Sequence, residues 1–240
     1  MILLVQFRDD VSEEHEQKCV VKHLDKNENI KFISTLDDNH DWSDPEKILY
    51  GYDSLIIGGN GSSSFDGGKV KDEYQLNQIN QIFRNVNPLL DYVIDKDFPT
   101  LGTCFGHQLI ANRLGSEIKC DPNQAESGIE EITLNETALK DPIFSEIPEK
   151  FDAVVGHQDS VINLSEGMIS LASSKHCNIE AFKYKNNIYC TQFHSELNTD
   201  DLIFRLNLYP NYKKYARNLV PKDTSNTINI LRNFLKMNSK

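Results

Sequence analysis

The chain lacks most of what would take it to a membrane, a nucleic acid or a cysteine-built scaffold. Basic residues are the scarcer charge, 25 against 36 acidic ones, and the formal net charge of −11 repels phosphate backbones and anionic lipid surfaces. Neither a nucleic acid nor a membrane is expected as partner. The opening M-I-L-L-V-Q-F has no basic flank and is too short for a signal peptide. No later segment approaches the ~20 apolar residues of a spanning helix, so the expected location is the cytoplasm. Five cysteines (Cys19, Cys104, Cys120, Cys177, Cys190) are odd in number, scattered and without a C-x-x-C pair, which argues against a disulfide framework or a cysteine zinc site. Internal repeats and linker composition are missing too. The 240 residues are therefore expected to form one domain, a core over about 1–198 with a helical extension over about 198–240.

With 39% hydrophobic and 25% charged residues spread throughout, the chain reads as globular rather than disordered. I-L-L-V-Q-F (2–7) is the continuous apolar run of a buried parallel strand, and S-E-E-H-E-Q-K-C-V-V-K-H-L after it has a Ser cap and an acidic first turn. I-K-F-I-S-T-L (30–36) and D-S-L-I-I-G-G (53–59) predict further strands. N-G-S-S-S-F-D-G-G-K (60–69) predicts a surface loop, followed by a long helix near 72–94. T-L-G-T-C (100–104) predicts a short strand and F-G-H-Q-L-I-A-N-R-L-G (105–115) a helix stopped by Gly115. From about 116 the texture changes to short strands: E-I-K-C, I-E-E-I-T-L, A-V-V-G-H, M-I-S-L-A-S-S, I-E-A-F-K-Y and I-Y-C-T-Q-F. The tail turns helical again, broken by Pro210 and Pro221. The pattern predicts an α/β fold with a mainly parallel central sheet and a small antiparallel extension.

G-T-C-F-G (102–106) fits the elbow in which a strand turns sharply into a helix and presents a nucleophile. A cysteine there meets the positive end of the helix dipole, which favours the thiolate. Taken alone, the same residues also describe a buried cysteine in a tight turn. A thiolate needs a proton-handling partner, and His194, at the end of I-Y-C-T-Q-F with Glu196 two positions on, is the best placed histidine. H-S-E at a strand end puts both side chains on one side, so the carboxylate can fix the imidazole tautomer. His107 follows the elbow and is expected to point away from Cys104, whereas His15, His23, His40 and His176 lie in polar, surface-like segments.

G-T-C-F-G-H-Q together with Q-F-H-S-E resembles the class I, or triad, glutamine amidotransferases, in which Cys, His and Glu follow in that order. L-I-I-G-G (55–59) is similar to the family's glycine pair, and G-H-Q-D-S-V (156–161) to its H-G-D or H-S-L segment. The likeness runs over about residues 1–198. It implies a flavodoxin-like three-layer sandwich in which Cys104 is nucleophile, His194 general acid and base, and Glu196 its orienter. It further implies an oxyanion hole from the Gly59 and Phe105 N–H groups, with Gln108 and the Gln158, Asp159 and Ser160 segment holding the glutamyl moiety. The substrate would be glutamine or another γ-glutamyl compound, hydrolysed through a thioester without metal or organic cofactor. A separate synthetase chain, as in a two-chain GMP synthase, would take the ammonia. A stand-alone enzyme similar to the plant γ-glutamyl peptidases would need none. The family usually has Pro between His and Glu, and Ser195 stands there, which loosens the turn.

Two other readings compete. His157, Asp159, His194 and Glu196 form H-x-D and H-x-E pairs that suit a divalent metal, but a metallohydrolase leaves the elbow and the glycine pair unexplained. H-E-Q-K-C (15–19) only half matches a zinc-binding helix, and the loop at 60–69 lacks the spacing of a phosphate-binding motif. A non-catalytic relic is disfavoured, because all three triad residue types are retained.

Overall fold

The computed structural model describes residues 1–37, 39–61, 65 and 73–238. The strands are β1 (Ile2–Gln6), β2 (Ile30–Ser34), β3 (Ser54–Ile57), β4 (Thr100–Thr103), β5 (Ile118–Cys120), β6 (Glu126–Leu134), β7 (Lys150–His157), β8 (Asp159–Val161), β9 (Met168–Ser174), β10 (Ala181–Tyr184), β11 (Ile188–Thr191) and β12 (Ala216–Asn218). The helices are α1 (Val11–Val21), α2 (Pro45–Ile48), α3 (Glu73–Lys96), α4 (Phe105–Arg113), α5 (Thr199–Leu208) and α6 (Ser225–Asn238). Ten strands build one sheet in the order β12-β6-β9-β10-β11-β4-β3-β1-β2, with β7 also paired to β6, while β5 and β8 form a separate ribbon. From β11 to β2 every pairing is parallel. The strands β10, β9, β6 and β7 continue the same sheet by antiparallel pairings.

The apolar run of β1 follows from cover on both faces, since successive side chains alternate across a strand. Leu3 and Val5 pack with Ile82, Leu89 and Val93 of α3 and Ile110 of α4. Ile2 and Leu4 pack on the other face with Val20 of α1 and Ile230, Leu231 and Phe234 of α6. Each such side chain, fully withdrawn from water, contributes about 1.5–3 kcal/mol. The result is three layers, helix on sheet on helix.

Two local expectations need correcting. Asp10, not Ser12, caps α1, its carboxylate accepting the Ser12 N–H at 2.8 Å; Ser12 lies inside the first turn and is buried. The C-terminal extension is not all helical: β12 pairs with β6 in parallel between the 3-10 turn at Pro210–Tyr215 and α6. A three-residue A-R-N strand has no apolar alternation by which to announce itself. Most of the loop expected at 60–69 (62–64 and 66–69) lies outside the described residues. Among the described residues, no helix is long and apolar enough to cross a membrane.

Parallel strands that share a direction bring their carboxyl ends to one edge, where crevices form. Here that edge collects Arg8 after β1, Gly58 and Gly59 after β3, Cys104 after β4 and His194 after β11.

Candidate active site

Cys104 sits between β4 and α4 with φ 53° and ψ −101°, a left-handed conformation that costs a non-glycine residue on the order of 1–3 kcal/mol. Both flanking strands hold it there. The Cys104 N–H donates to Thr191 O of β11 at 2.8 Å, and the Gly106 N–H donates to Gly58 O beyond β3 at 3.0 Å. Gly106 is required for this approach, because a Cβ would stand 2.2 Å from Ile57 O. The thiol is 4% exposed, with Sγ 3.8 Å from Gly156 O.

His194 Nδ1 lies 2.7 Å from Glu196 Oε1, both side chains buried. Ser195 in place of proline therefore leaves the pair in contact. Burial disfavours the imidazolium, but the Glu196 carboxylate and the Cys104 side chain outweigh it and raise His194 to about 10. Burial likewise works against the Glu196 charge, and His194 overcomes it, lowering Glu196 to about 2. The two are a charged pair at neutral pH. His23, expected on the surface, is buried instead, with Nε2 3.2 Å from Glu196 O, so α1 supports the strand end that carries the pair. His107 is buried against the Phe182 ring, and burial lowers it to about 3.

The Gly59 N–H is not open in this structure. It donates to Glu16 Oε1 at 3.0 Å, which corrects the expectation of a free oxyanion donor at this position. Glu16 is buried on α1, accepts Gln6 Nε2 at 2.9 Å through its other oxygen and pairs with Arg8 Nε at 3.4 Å. Gly59 is nonetheless the point on which the site converges. A Cβ there would stand 3.1 Å from Arg8 Nη2, 3.3 Å from His194 Cε1 and 3.6 Å from Cys104 Cβ. Sequence reasoning missed Gln6, Arg8 and Glu16. The available signal was Glu16 on the stripe of Ser12, Cys19 and Val20, whose helical spacing is that of a buried face.

Cys104, Phe105, Gln108, Gln158 and Asp159 line one pocket with Asn60. Gln108 Nε2 donates to Asp159 O at 2.8 Å and Gln192 Oε1 at 3.1 Å, and the Asp159 carboxylate accepts the Phe65 N–H at 2.6 Å. Among the described residues the Phe105 N–H has no backbone or side-chain acceptor. Ser160 is not brought to this pocket: it is fully buried in β8, its hydroxyl 3.3 Å from His157 Nδ1.

The metal set His157, Asp159, His194 and Glu196 is not assembled. His194 turns to Glu196, whereas His157 Nε2 turns to Glu126 Oε2 at 3.4 Å. The described residues do gather ligand-type atoms elsewhere, within 4.8 Å of one another, in Glu126, His157, Cys177 and Glu180 and in His15, Cys19 and Asp201. In the first group, burial and the neighbouring Glu126 push the Glu180 carboxyl well up. The Glu126 carboxylate beside it accepts the Ser174 hydroxyl at 2.6 Å and faces His157.

A strained cysteine beside an imidazolium held by a carboxylate is an arrangement for nucleophilic acyl transfer. The family model for class-I glutamine amidotransferases matches residues 34–201. This chain belongs to that family. It is 37% identical over 108 residues to a glutamine-hydrolyzing GMP synthase subunit of Methanosphaera stadtmanae, a match covering 45% of this chain and 56% of the relative. The matched segment is thus little more than half the length of that relative. Gamma-glutamyl peptidase 4 of Arabidopsis thaliana is 28% identical over 207 residues, 80% of this chain and 76% of the other. A glutamine amidotransferase from Thermotoga maritima has the same fold, with a TM-score of 0.68 at 17% identity over 98% of this chain and 96% of that one.

Proposed function

We propose that the chain is a cysteine-dependent hydrolase of γ-glutamyl amides. The observation that supports this reading most is the convergence of Cys104, His194 and Arg8 on one point above Gly59, with His194 held by Glu196. The Cys104 thiolate attacks the γ-carbonyl, forming an S–C bond and an oxyanion. The Phe105 N–H is the open backbone donor for that charge, and the Gly59 N–H joins it only when Glu16 lets go. As the C–N bond breaks, the His194 imidazolium gives its proton to the departing amine or ammonia. Neutral His194 then takes a proton from water, which attacks the thioester and releases glutamate and the Cys104 thiolate, restoring the imidazolium. Gln108, Gln158 and Asp159 hold the glutamyl end.

The long match to the Arabidopsis peptidase supports a stand-alone hydrolase. The higher identity to the GMP synthase relatives supports a second reading, an ammonia-supplying partner of a synthetase, over the shorter matched segment. Purified protein is assayed with glutamine and with γ-glutamyl dipeptides, with Cys104→Ala as control. Cys104-dependent turnover without a partner supports the hydrolase; turnover of glutamine only after a synthetase is added supports the ammonia supplier; turnover untouched by Cys104→Ala sinks both.

A further inference from the structure

Beside the cysteine pocket lies a second one of about 40 Å³, whose lining combines His194, Arg8, Arg205, Tyr209 and Tyr212 with aliphatic side chains from β7 and α5. At roughly 10–15 Å³ per water-sized group, it has room for about three such groups, the bulk of a carboxylate. The two pockets share Asn60, Gly156 and Tyr212, with Cys104 on one side and His194 on the other.

Arg205 in this second pocket has a donor that no protein group uses. Arg205 of α5 is 8% exposed, and its Nε donates to His15 Nδ1 at 2.9 Å. Its Nη2 is buried without a hydrogen-bond partner, and among the described residues it makes no ion pair. Burial, and after it the neighbouring Arg8 cation, lower its pKa. Arg8 has one carboxylate, Glu16, which also serves Gly59 and Gln6, and its Nε has no hydrogen bond. Two buried guanidinium groups thus lie close together, with Glu16 and Glu196 the carboxylates that act on both and neither carboxylate ion-paired to Arg205 among the described residues. A buried cation without a counterion costs several kcal/mol, and a planar guanidinium fork matches a carboxylate in shape and charge.

We propose that this pocket binds a carboxylate carried by the leaving group, Arg205 and Arg8 supplying the charge and Tyr209 and Tyr212 the cover. The preferred substrates are then γ-glutamyl conjugates of amino acids or peptides. The proposal rests on the γ-glutamyl hydrolase reading and deepens it. With the acyl group on Cys104, the departing nitrogen faces His194 and whatever it carries enters this pocket. Ammonia from glutamine puts nothing there; an amino acid puts its carboxylate one carbon away.

The test compares γ-glutamylglycine, γ-glutamylglycinamide and glutamine on the full chain and on Arg205→Gln and Arg205→Lys. The wild-type protein is expected to favour γ-glutamylglycine over its amide by about 10- to 100-fold in kcat/KM, the range of a buried charge-assisted contact. Arg205→Gln is expected to remove most of that preference while the amide stays within about twofold, and Arg205→Lys to keep part of it. Equal wild-type turnover of acid and amide, or a loss in Arg205→Gln shared equally by both, overturns the proposal. If Arg205→Gln does not fold, product inhibition of the wild type decides: glycine inhibiting at lower concentration than glycinamide supports the carboxylate site, and equal inhibition overturns it. Calorimetric binding of the two conjugates to Cys104→Ala reads the pocket independently of turnover. A preference for the acid there, with no turnover of any γ-glutamyl compound by the wild type, condemns the hydrolase reading and not the carboxylate site.

Discussion

Glu16 Oε1 accepts the Gly59 N–H at 3.0 Å and lies 3.4 Å from Arg8 Nε, so one buried carboxylate ties a helix, a strand end and a cation together at the candidate site. Removing it leaves Arg8 charged and unpaired where water does not reach. Glu16→Ala is expected to destabilise the fold by about 3–5 kcal/mol, measured by chemical denaturation. Glu16→Gln keeps an acceptor for Gly59 and is expected to cost less; an equal cost would show that the Arg8 charge, not the hydrogen bond, decides.

The His194 and Glu196 pair sets a pH window. His194 is raised from 6.5 to about 10, so its stabilising share is whole below pH 6.5 and lost as pH rises through about 10. Glu196 is lowered from 4.5 to about 2, so its share is whole above pH 4.5 and lost as pH falls through about 2. Both are whole between 4.5 and 6.5. Glu196→Gln is expected to flatten the alkaline slope of stability and move the alkaline limb of kcat/KM down by at least a pH unit. It should also cut kcat/KM by about 10²- to 10⁴-fold, as loss of an imidazole orienter does. An unmoved alkaline limb would deny Glu196 its role.

The elbow leaves no room at Gly106. Gly106→Ala brings a Cβ to 2.2 Å from Ile57 O, a backbone atom that cannot swing aside. The expected result is a loss of about 1–3 kcal/mol or more by thermal unfolding, together with lost turnover as Cys104 shifts. Full activity with an unchanged Tm would mean that α4 slides freely along β3.

Glu180 and Glu126 are chemically equal and are expected to respond unequally. Burial and Glu126 push the Glu180 carboxyl well up towards its neutral form, which Glu180→Gln mimics, so that variant is expected to change stability by less than about 1 kcal/mol. Glu126→Gln takes the charge from beneath His157 and is expected to cost about 1–3 kcal/mol. Urea unfolding of the two variants, compared at pH 7, checks the order.

Much of the frame was legible because its cause is local. The run I-L-L-V-Q has one explanation, a strand covered on both faces, and Leu3 and Leu4 do point to opposite cores. Cys104, His194 and Glu196 could be named because the elbow and the strand end carry short-range signatures. What escaped was made by distance along the chain. Glu16 meets Gly59 and Arg205 meets His15 only through the folded sheet, and His23 in its polar segment gave no sign that it would be buried against Glu196. β12 escaped for another reason, being defined by its partner strand and not by its own residues.

Tyr209 closes against the N-terminal half of the chain, its hydroxyl bonded to Ser12 at 2.6 Å and its ring filling the space a Cβ on Gly61 would need. Synthesis runs from one end, so Cys104 leaves the ribosome before His194, Arg205 and Tyr209 exist. A nascent chain therefore carries the cysteine without its proton donor or the residues that cover it, and the site comes into being only once the chain has been made through Tyr212.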